Sequence, residues 1–170
     1  MSADFLKDIF KQLDKDGSGF ISADELQEAL SNGSWSAFNP ETIRLMIGMF
    51  DRDKRGHVSY ENFGALWNYV TDWQKCFRNY DLDNSNSIDR QELQTALTSF
   101  GYKLSAELLD TLIKKFDRIG AGHVLFDDFI QCCIVLQTLT TAFKAHDKDM
   151  KGVITIDYEQ FLDMVFSLTI

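Results

Sequence analysis

The sequence predicts an all-α fold: eight helices arranged as five helix–loop–helix units within 170 residues. Three observations predict it. A twelve-residue acidic segment with an aliphatic eighth position recurs at 14–25, 51–62, 81–92, 117–128 and 147–158, the eighth residues being Ile21, Val58, Ile88, Val124 and Ile154. Each segment is flanked by apolar stretches of helical period. Segment starts are separated by alternating intervals, 51−14 = 37, 81−51 = 30, 117−81 = 36 and 147−117 = 30 residues.

The intervals fix the helices in order. A 30-residue step less a twelve-residue loop leaves 18 residues, Phe63 to Tyr80 and Phe129 to His146, with only Gly64 as a tolerable weak point. Each stretch makes one helix of ~27 Å that leaves one loop and runs into the next. The longer intervals hold two helices and a break. Between the first two units the break is Ser31-Asn32-Gly33-Ser34, after which Asn39 is placed as N-cap and Pro40 at the first helical position. The second break is Gly101-Tyr102-Lys103, with Ser105 as the cap. At 45% hydrophobic content, 170 residues suffice for one shared core, so a single domain over 1–170 is expected.

Loop chemistry identifies the repeat as the EF-hand. Calcium takes oxygens from loop positions 1, 3, 5, 7 and 9 and a bidentate carboxylate at 12, with a turn residue tolerant of positive φ at 6. The first loop supplies Asp14, Asp16, Ser18, the Phe20 carbonyl, Ser22 through water, and Glu25, with Gly19 at the turn. Ser22 and Glu25 also form a Ser-x-x-Glu capping box for the exit helix. The third loop supplies Asp81, Asp83, Ser85, the Ser87 carbonyl, Asp89 and Glu92, with Asn86 at the turn. Asn enters the left-handed region more readily than most residues, so a modest loss of affinity is expected there.

The other loops depart further. Arg55 stands at the fifth position of the second loop and Asn62 at its twelfth, with Glu61 displaced by one. Ile119 and Ala121 leave Asp117 and Asp128 too few to hold a cation, so the fourth loop is read as structural. The fifth keeps Asp147 and Asp149 but has Lys151 at position 5, Tyr158 at 12 and Glu159 displaced by one, so it offers at most weak binding of calcium or magnesium. Two strong calcium sites per chain follow, and two ions would bring the net charge from −9 to −9+4 = −5.

An odd number of hands has its own consequence. EF-hands pair through a short two-stranded bridge at the aliphatic eighth position, and five hands leave one without a mate. Ile154 and the apolar face Tyr158, Phe161, Leu162, Val165 and Phe166 therefore call for a second chain.

Composition excludes several functions. A charge of −9 argues against nucleic acid and anionic membrane as direct partners. No apolar run approaches the ~18 residues of a membrane span, and a cytosolic protein is expected. Cys76, Cys132 and Cys133 lack metal-ligand spacing and read as buried or half-buried thiols. His57, His123 and His146 are dispersed, the first two at seventh loop positions with side chains expected to face solvent. No nucleophile, base and orienting group come together, so no enzyme is predicted.

The first long helix asks for a partner. Phe63, Leu66, Trp67, Tyr69, Val70, Trp73, Phe77 and Tyr80 fill an arc of roughly 160°, against the ~100° a core-facing stripe needs. A central helix covered on several sides and a helix lining an aromatic groove both fit that pattern. Such grooves recognise Pro-rich, polyproline II ligands, which have little conformational entropy to lose.

Five hands with alternating spacing, an unpaired fifth and complete first and third loops resemble the penta-EF-hand family. Segments outside the loops share the likeness, among them Phe38-Asn39-Pro40, Tyr69-Val70-Thr71-Asp72-Trp73-Gln74 and Phe126-Asp127-Asp128-Phe129-Ile130-Gln131, and it runs from about Phe5 to the C-terminus. The resemblance implies a calcium-dependent adaptor, a homodimer or a heterodimer with another penta-EF-hand chain. It further implies binding of Pro-rich segments of Alix-like, ESCRT-associated, vesicle-coat and annexin proteins through Phe63, Trp67, Val70, Trp73 and Phe100. The implied locations are the cytoplasm, endoplasmic reticulum exit sites, endosomes and nucleus. A calcium buffer and a regulatory subunit of a calpain-like protease are the competing readings. Lys103 stands where adaptor-type relatives have an Arg that moves aside on calcium binding, and it lacks the planar guanidinium. Trp67, Val70 and Trp73 enter the third loop and Phe100 follows the helix that leaves it, so calcium at that loop is expected to open the pocket.

Overall fold

A computed structural model describes residues 3–31, 37–51 and 53–168. Its elements run α1 (Ala3–Leu13), β1 (Phe20–Ser22), α2 (Ala23–Ser31), α3 (Pro40–Phe50), β2 (His57–Ser59), α4 (Tyr60–Tyr80), α5 (Arg90–Ser99), α6 (Ala106–Phe116), α7 (Phe126–His146) and α8 (Tyr158–Phe166). The expected break at 32–34 lies outside the described residues. Asn39 caps α3 as expected, its Oδ1 accepting from Glu41 N–H at 2.9 Å, and Ser105 caps α6 through Leu108 N–H at 3.2 Å.

The two long helices begin three residues before the expected Phe63 and Phe129, at Tyr60 and Phe126. The reason is local: the last three loop positions already form the first helical turn, and position 9 is the N-cap. Ser22, Ser59, Asp89 and Leu125 all precede their exit helices in that role.

The fifth loop breaks this frame, which corrects the reading of 147–158. Helix α8 starts at Tyr158 with Asp157 as N-cap, and Gln160 completes a capping box: Gln160 N–H donates to Asp157 Oδ1 at 2.8 Å and Asp157 N–H to Gln160 Oε1 at 3.0 Å. The start of the loop is regular, because Asp147 receives Lys151 N–H and Gly152 N–H as the other loops do. Two extra residues therefore lie between Gly152 and Asp157, and the loop runs over 160−147+1 = 14 residues. Counted from the Asp157 cap, Ile156 rather than Ile154 stands at the eighth place and Gln160 rather than Tyr158 at the twelfth.

Pairing follows the aliphatic positions. Strands β1 and β2 are antiparallel with Ile21 opposite Val58. Ile88 and Val124 exchange backbone hydrogen bonds of 2.8 and 2.9 Å. All four of these side chains are fully buried. The fifth hand has no strand partner among the described residues.

Each hand pair builds one core cluster. Phe10, Ile21, Leu26, Ile43, Met46, Val58, Phe63, Leu66 and Val70 belong to the first, and Phe77, Ile88, Leu93, Leu97, Leu109, Val124 and Phe129 to the second. Helices α4 and α7 run through both, and Trp73 and Phe126 pack against both clusters, so the pairs share a continuous interior. A buried polar joint fastens the same boundary. Asn39 N–H donates to Asp127 at 2.7 Å, Asn39 Nδ2 to Asp128 at 2.6 Å, and Thr42 Oγ1 to the Asp127 carbonyl at 3.0 Å. Arg118 then bridges Asp127 at 2.6 Å and Asp128 at 3.0 Å.

Candidate functional site: two acidic loops and an aromatic cavity

Loops 14–25 and 81–92 have the same internal hydrogen bonds. In the first, Asp14 receives Ser18 N–H at 2.9 Å and Gly19 N–H at 3.0 Å, and Asp16 receives Ser18 N–H at 2.9 Å. In the third, Asp81 receives Ser85 N–H at 2.9 Å and Asn86 N–H at 3.0 Å, and Asp83 receives Ser85 N–H at 3.0 Å. Asn86 takes the positive φ of the turn, +62°, without a glycine. Ser18 and Ser85 donate to the carbonyls of Phe20 and Ser87 at 3.2 and 3.1 Å, bringing the seventh-position oxygens into the ring.

The twelfth-position glutamates close each loop over its own start. Glu25 accepts from Lys15 N–H at 2.9 Å and from Ser22 N–H at 2.9 Å. Glu92 accepts from Leu82 N–H at 2.7 Å and from Asp89 N–H at 3.0 Å. Carboxylate oxygens of Asp14, Asp16 and Glu25, and of Asp81, Asp83 and Glu92, gather within 4.8 Å of one another. Like charges held that close repel unless a cation lies between them or a proton is taken up. Hydrogen bonds favour the charged form here. Ser18 holds Asp16 and Ser85 holds Asp83 below the ordinary carboxylate value. Burial raises the Glu25 carboxyl, but the Ser22 and Lys15 hydrogen bonds outweigh it and leave it lowered. Three carboxylates, a hydroxyl and a carbonyl form an all-oxygen donor set that fits a hard divalent cation of calcium size.

The remaining loops keep the first-position bond but lack the rest of the donor set. Asp51 receives Gly56 N–H at 2.6 Å as Asp14 receives Gly19 N–H, but Arg55 and Asn62 stand at the fifth and twelfth positions. Asp128 is locked to Arg118 and Asn39, so an internal guanidinium stands beside the twelfth-position carboxylate of the fourth loop. Burial raises the Asp128 carboxyl, against the opposing hydrogen bond from Asn39. In the fifth loop Lys151 pairs with Asp149 at 2.9 Å, placing an ammonium where a ligand belongs, although Asp147 keeps the backbone N–H bonds of a regular loop start. The His57 ring, expected to face solvent, packs on Phe20 with centroids 4.2 Å apart.

The aromatic arc of α4 divides in two. Phe63 and Val70, expected on a ligand pocket, are in the first core, and Trp67 packs against that core with its ring 5.9 Å from Phe63. Trp73 and Phe100 do line a cavity of about 500 Å³, together with Tyr69, Asp72, Cys76 and Tyr102; Cys133 and Gln137 complete it. Positions 69, 72, 73 and 76 are the i, i+3, i+4, i+7 face of α4, a spacing legible in sequence but not singled out there. Phe100, the C-cap of α5, is 39% exposed, and its ring meets Tyr80 edge-on at 5.6 Å. Tyr80, hydrogen-bonded through its hydroxyl to Ser99, immediately precedes Asp81. The cavity thus lies between α4, which runs into the third loop, the segment that follows α5, and α7. Its thiols are poor nucleophiles: burial raises both Cys76 and Cys133, as it pushes nearby Cys132 up to about 12.

Helix α8 buries none of its residues. Tyr158 is 76%, Phe161 47%, Val165 39% and Phe166 82% exposed, and Ile154 and Ile156 are half-buried.

A family model described as the EF-hand domain pair matches residues 4–67 and 70–133, the first four hands. Sorcin of Schistosoma japonicum is 46% identical over 170 residues, covering 100% of this chain and 99% of that protein. Human peflin is 42% identical over 159 residues, and there the chain spans only 56% of the relative's length. A solved structure of a homolog of programmed cell death 6 protein from Leishmania major Friedlin superposes with a TM-score of 0.84 at 30% identity, over 95% of this chain and 92% of that one.

Proposed function

Since this chain belongs to the penta-EF-hand family of calcium-binding proteins, we propose that it is a calcium-dependent adaptor that pairs with a second penta-EF-hand chain and binds extended, Pro-rich segments. The observation that carries the reading is the position of the aromatic cavity. Trp73 lies on the helix that runs into loop 81–92 and Phe100 at the end of the helix that leaves it. Bound calcium supplies the positive charge that lets the loop carboxylates share one centre. Glu92, the first-turn residue of α5, carries the direction of that helix with it, and Phe100 moves as the helix end moves. Tyr80, the residue before Asp81, meets Phe100 from the other side through its ring and bonds Ser99 through its hydroxyl. Aromatic walls suit a polyproline II ligand, whose ordering cost is small. The third loop is the controlling site, the first a second strong site, and loop 147–160 contributes its unpaired segment around Ile156 and α8 to the partner chain, whether a second copy or a relative. A cytoplasmic location fits this role, and among the described residues no helix is long and apolar enough to cross a membrane.

Binding of a twelve-residue peptide rich in Pro and Tyr, followed by fluorescence anisotropy in calcium and in chelator, tests the reading. Binding is expected in calcium and lost in chelator, and Glu92→Ala abolishes it while Glu25→Ala retains most of it. Equal binding in chelator would place the gate elsewhere. A calcium buffer would take up the ions without binding the peptide.

A further inference from the structure

The aromatic cavity carries one feature that an apolar peptide does not explain. Along the α4 face that lines it, Tyr69, Trp73 and Cys76 are interrupted at the i+3 position by Asp72. Among the residues lining the cavity Asp72 is the one with a formal charge. Its carboxylate meets Lys75 at 3.2 Å, with both side chains largely exposed, 73% for Asp72 and 68% for Lys75. An exposed i,i+3 pair of this kind is worth little and exchanges readily for a better partner. Asp72 is the i+3 neighbour of Tyr69 on the helix surface, and it lines the same cavity as Tyr69 and Trp73, whose ring centroids lie 6.1 Å apart and whose faces attract cations.

We propose that the cavity selects peptide segments that place a cationic side chain, Arg in preference to Lys, beside the proline or aromatic residue it accepts, with Asp72 pairing with the cation at the rim formed by Tyr69 and Trp73. This rests on the adaptor reading of the cavity. Arg is favoured because its planar guanidinium stacks on a ring while binding a carboxylate through two N–H groups, and because it is more weakly hydrated than an ammonium. The protein's charge acts in the same direction at longer range: at −9, or −5 with two calcium ions bound, it attracts basic segments and repels acidic ones. Lys75 is the internal competitor for the same carboxylate.

Full-length protein in saturating calcium is titrated with three twelve-residue peptides that share one Pro/Tyr core and carry Arg, Gln or Glu at a single flanking position, scanned on both sides. The Arg peptide is expected to bind about five- to tenfold more tightly than the Gln peptide at low salt, with the Glu peptide weakest. The preference shrinks as ionic strength rises. Asp72→Asn reduces the Arg preference to within about twofold, with the Arg peptide losing far more affinity than the Gln peptide, and Asp72→Glu restores part of the preference. Lys75→Ala enlarges the preference, because it removes the competitor without touching the cavity. Equal affinity of wild-type protein for the Arg and Gln peptides, or a uniform loss of all three on Asp72→Asn, overturns the proposal while leaving the adaptor reading in place. Failure of every peptide to bind in calcium overturns both.

Discussion

The twelfth-position acids of the loops are not equivalent, and position alone does not decide what each one binds. Glu25 and Glu92 reach back to backbone N–H groups at the start of their own loops, whereas Asp128, also a twelfth-position acid, is taken up by Arg118 and Asn39. Calorimetry is therefore expected to find two strong calcium sites per chain, with dissociation constants of roughly 10⁻⁷–10⁻⁵ M. Glu25→Ala and Glu92→Ala should each remove one, and four strong sites would contradict this ligand assignment. Arg118 makes the opposite kind of prediction. Its removal leaves Asp127 and Asp128 facing each other in the interior with Asn39 as their remaining side-chain donor near the pair. Arg118→Ala is expected to lower stability by about 2–4 kcal/mol in denaturant titrations without changing calcium stoichiometry. The incomplete ligand set of the fourth loop was readable from Ile119 and Ala121. The role of Arg118 was not, because its partners are 9 and 10 residues along the chain and at Ala37, 81 residues away.

At the scale of elements, the four paired hands obey one frame and the fifth does not. Counting twelve residues from Asp147 puts Tyr158 at the closing position, yet the helix starts where its cap lies, at Asp157, and the capping box with Gln160 was present in the sequence as Asp-x-x-Gln. Local capping chemistry was the better guide to that boundary than the spacing of the repeat. The aromatic helix was legible only as an arc: which of its residues line a cavity depends on α5 and α7, whose approach no local pattern encodes. Helix α8, with Phe161, Val165 and Phe166 exposed and no buried residue, is the element that most needs covering. Sedimentation is expected to show a dimer with and without calcium. Phe161→Asp combined with Val165→Asp should give a monomer that retains both calcium sites. A monomeric wild type at micromolar concentration, or a dimer that survives removal of residues 147–170, would show that another surface carries the pairing.

Over the whole molecule, the two hand pairs are joined by α4, by α7 and by the Asn39–Asp127–Asp128 joint, and loop 81–92 is tied to its neighbour by the Ile88–Val124 bridge. Glu92 sits in the first turn of α5 and Phe100 caps its last, while Tyr80 links the start of the same loop to Phe100. On the proposed adaptor reading, metal and peptide would act on one pair of helices, and a ligand shifts their arrangement only by its differential affinity for the two states. The coupling must then be reciprocal: a factor by which calcium tightens the peptide is the factor by which peptide tightens calcium. Calcium titrations with saturating Pro/Tyr peptide are expected to show the third-loop site tightened by about five- to 100-fold, with the first-loop site changed far less. Tyr80→Ala should reduce the coupling while leaving two calcium sites, since it removes the ring contact but no ligand. Trp73→Ala should weaken the peptide and leave calcium stoichiometry intact, and simultaneous loss of both functions would mark a folding defect instead. Calcium affinity indifferent to a peptide that itself requires calcium to bind would break the thermodynamic cycle, assembly steps included, and would mean that one of the two titrations had not reached equilibrium.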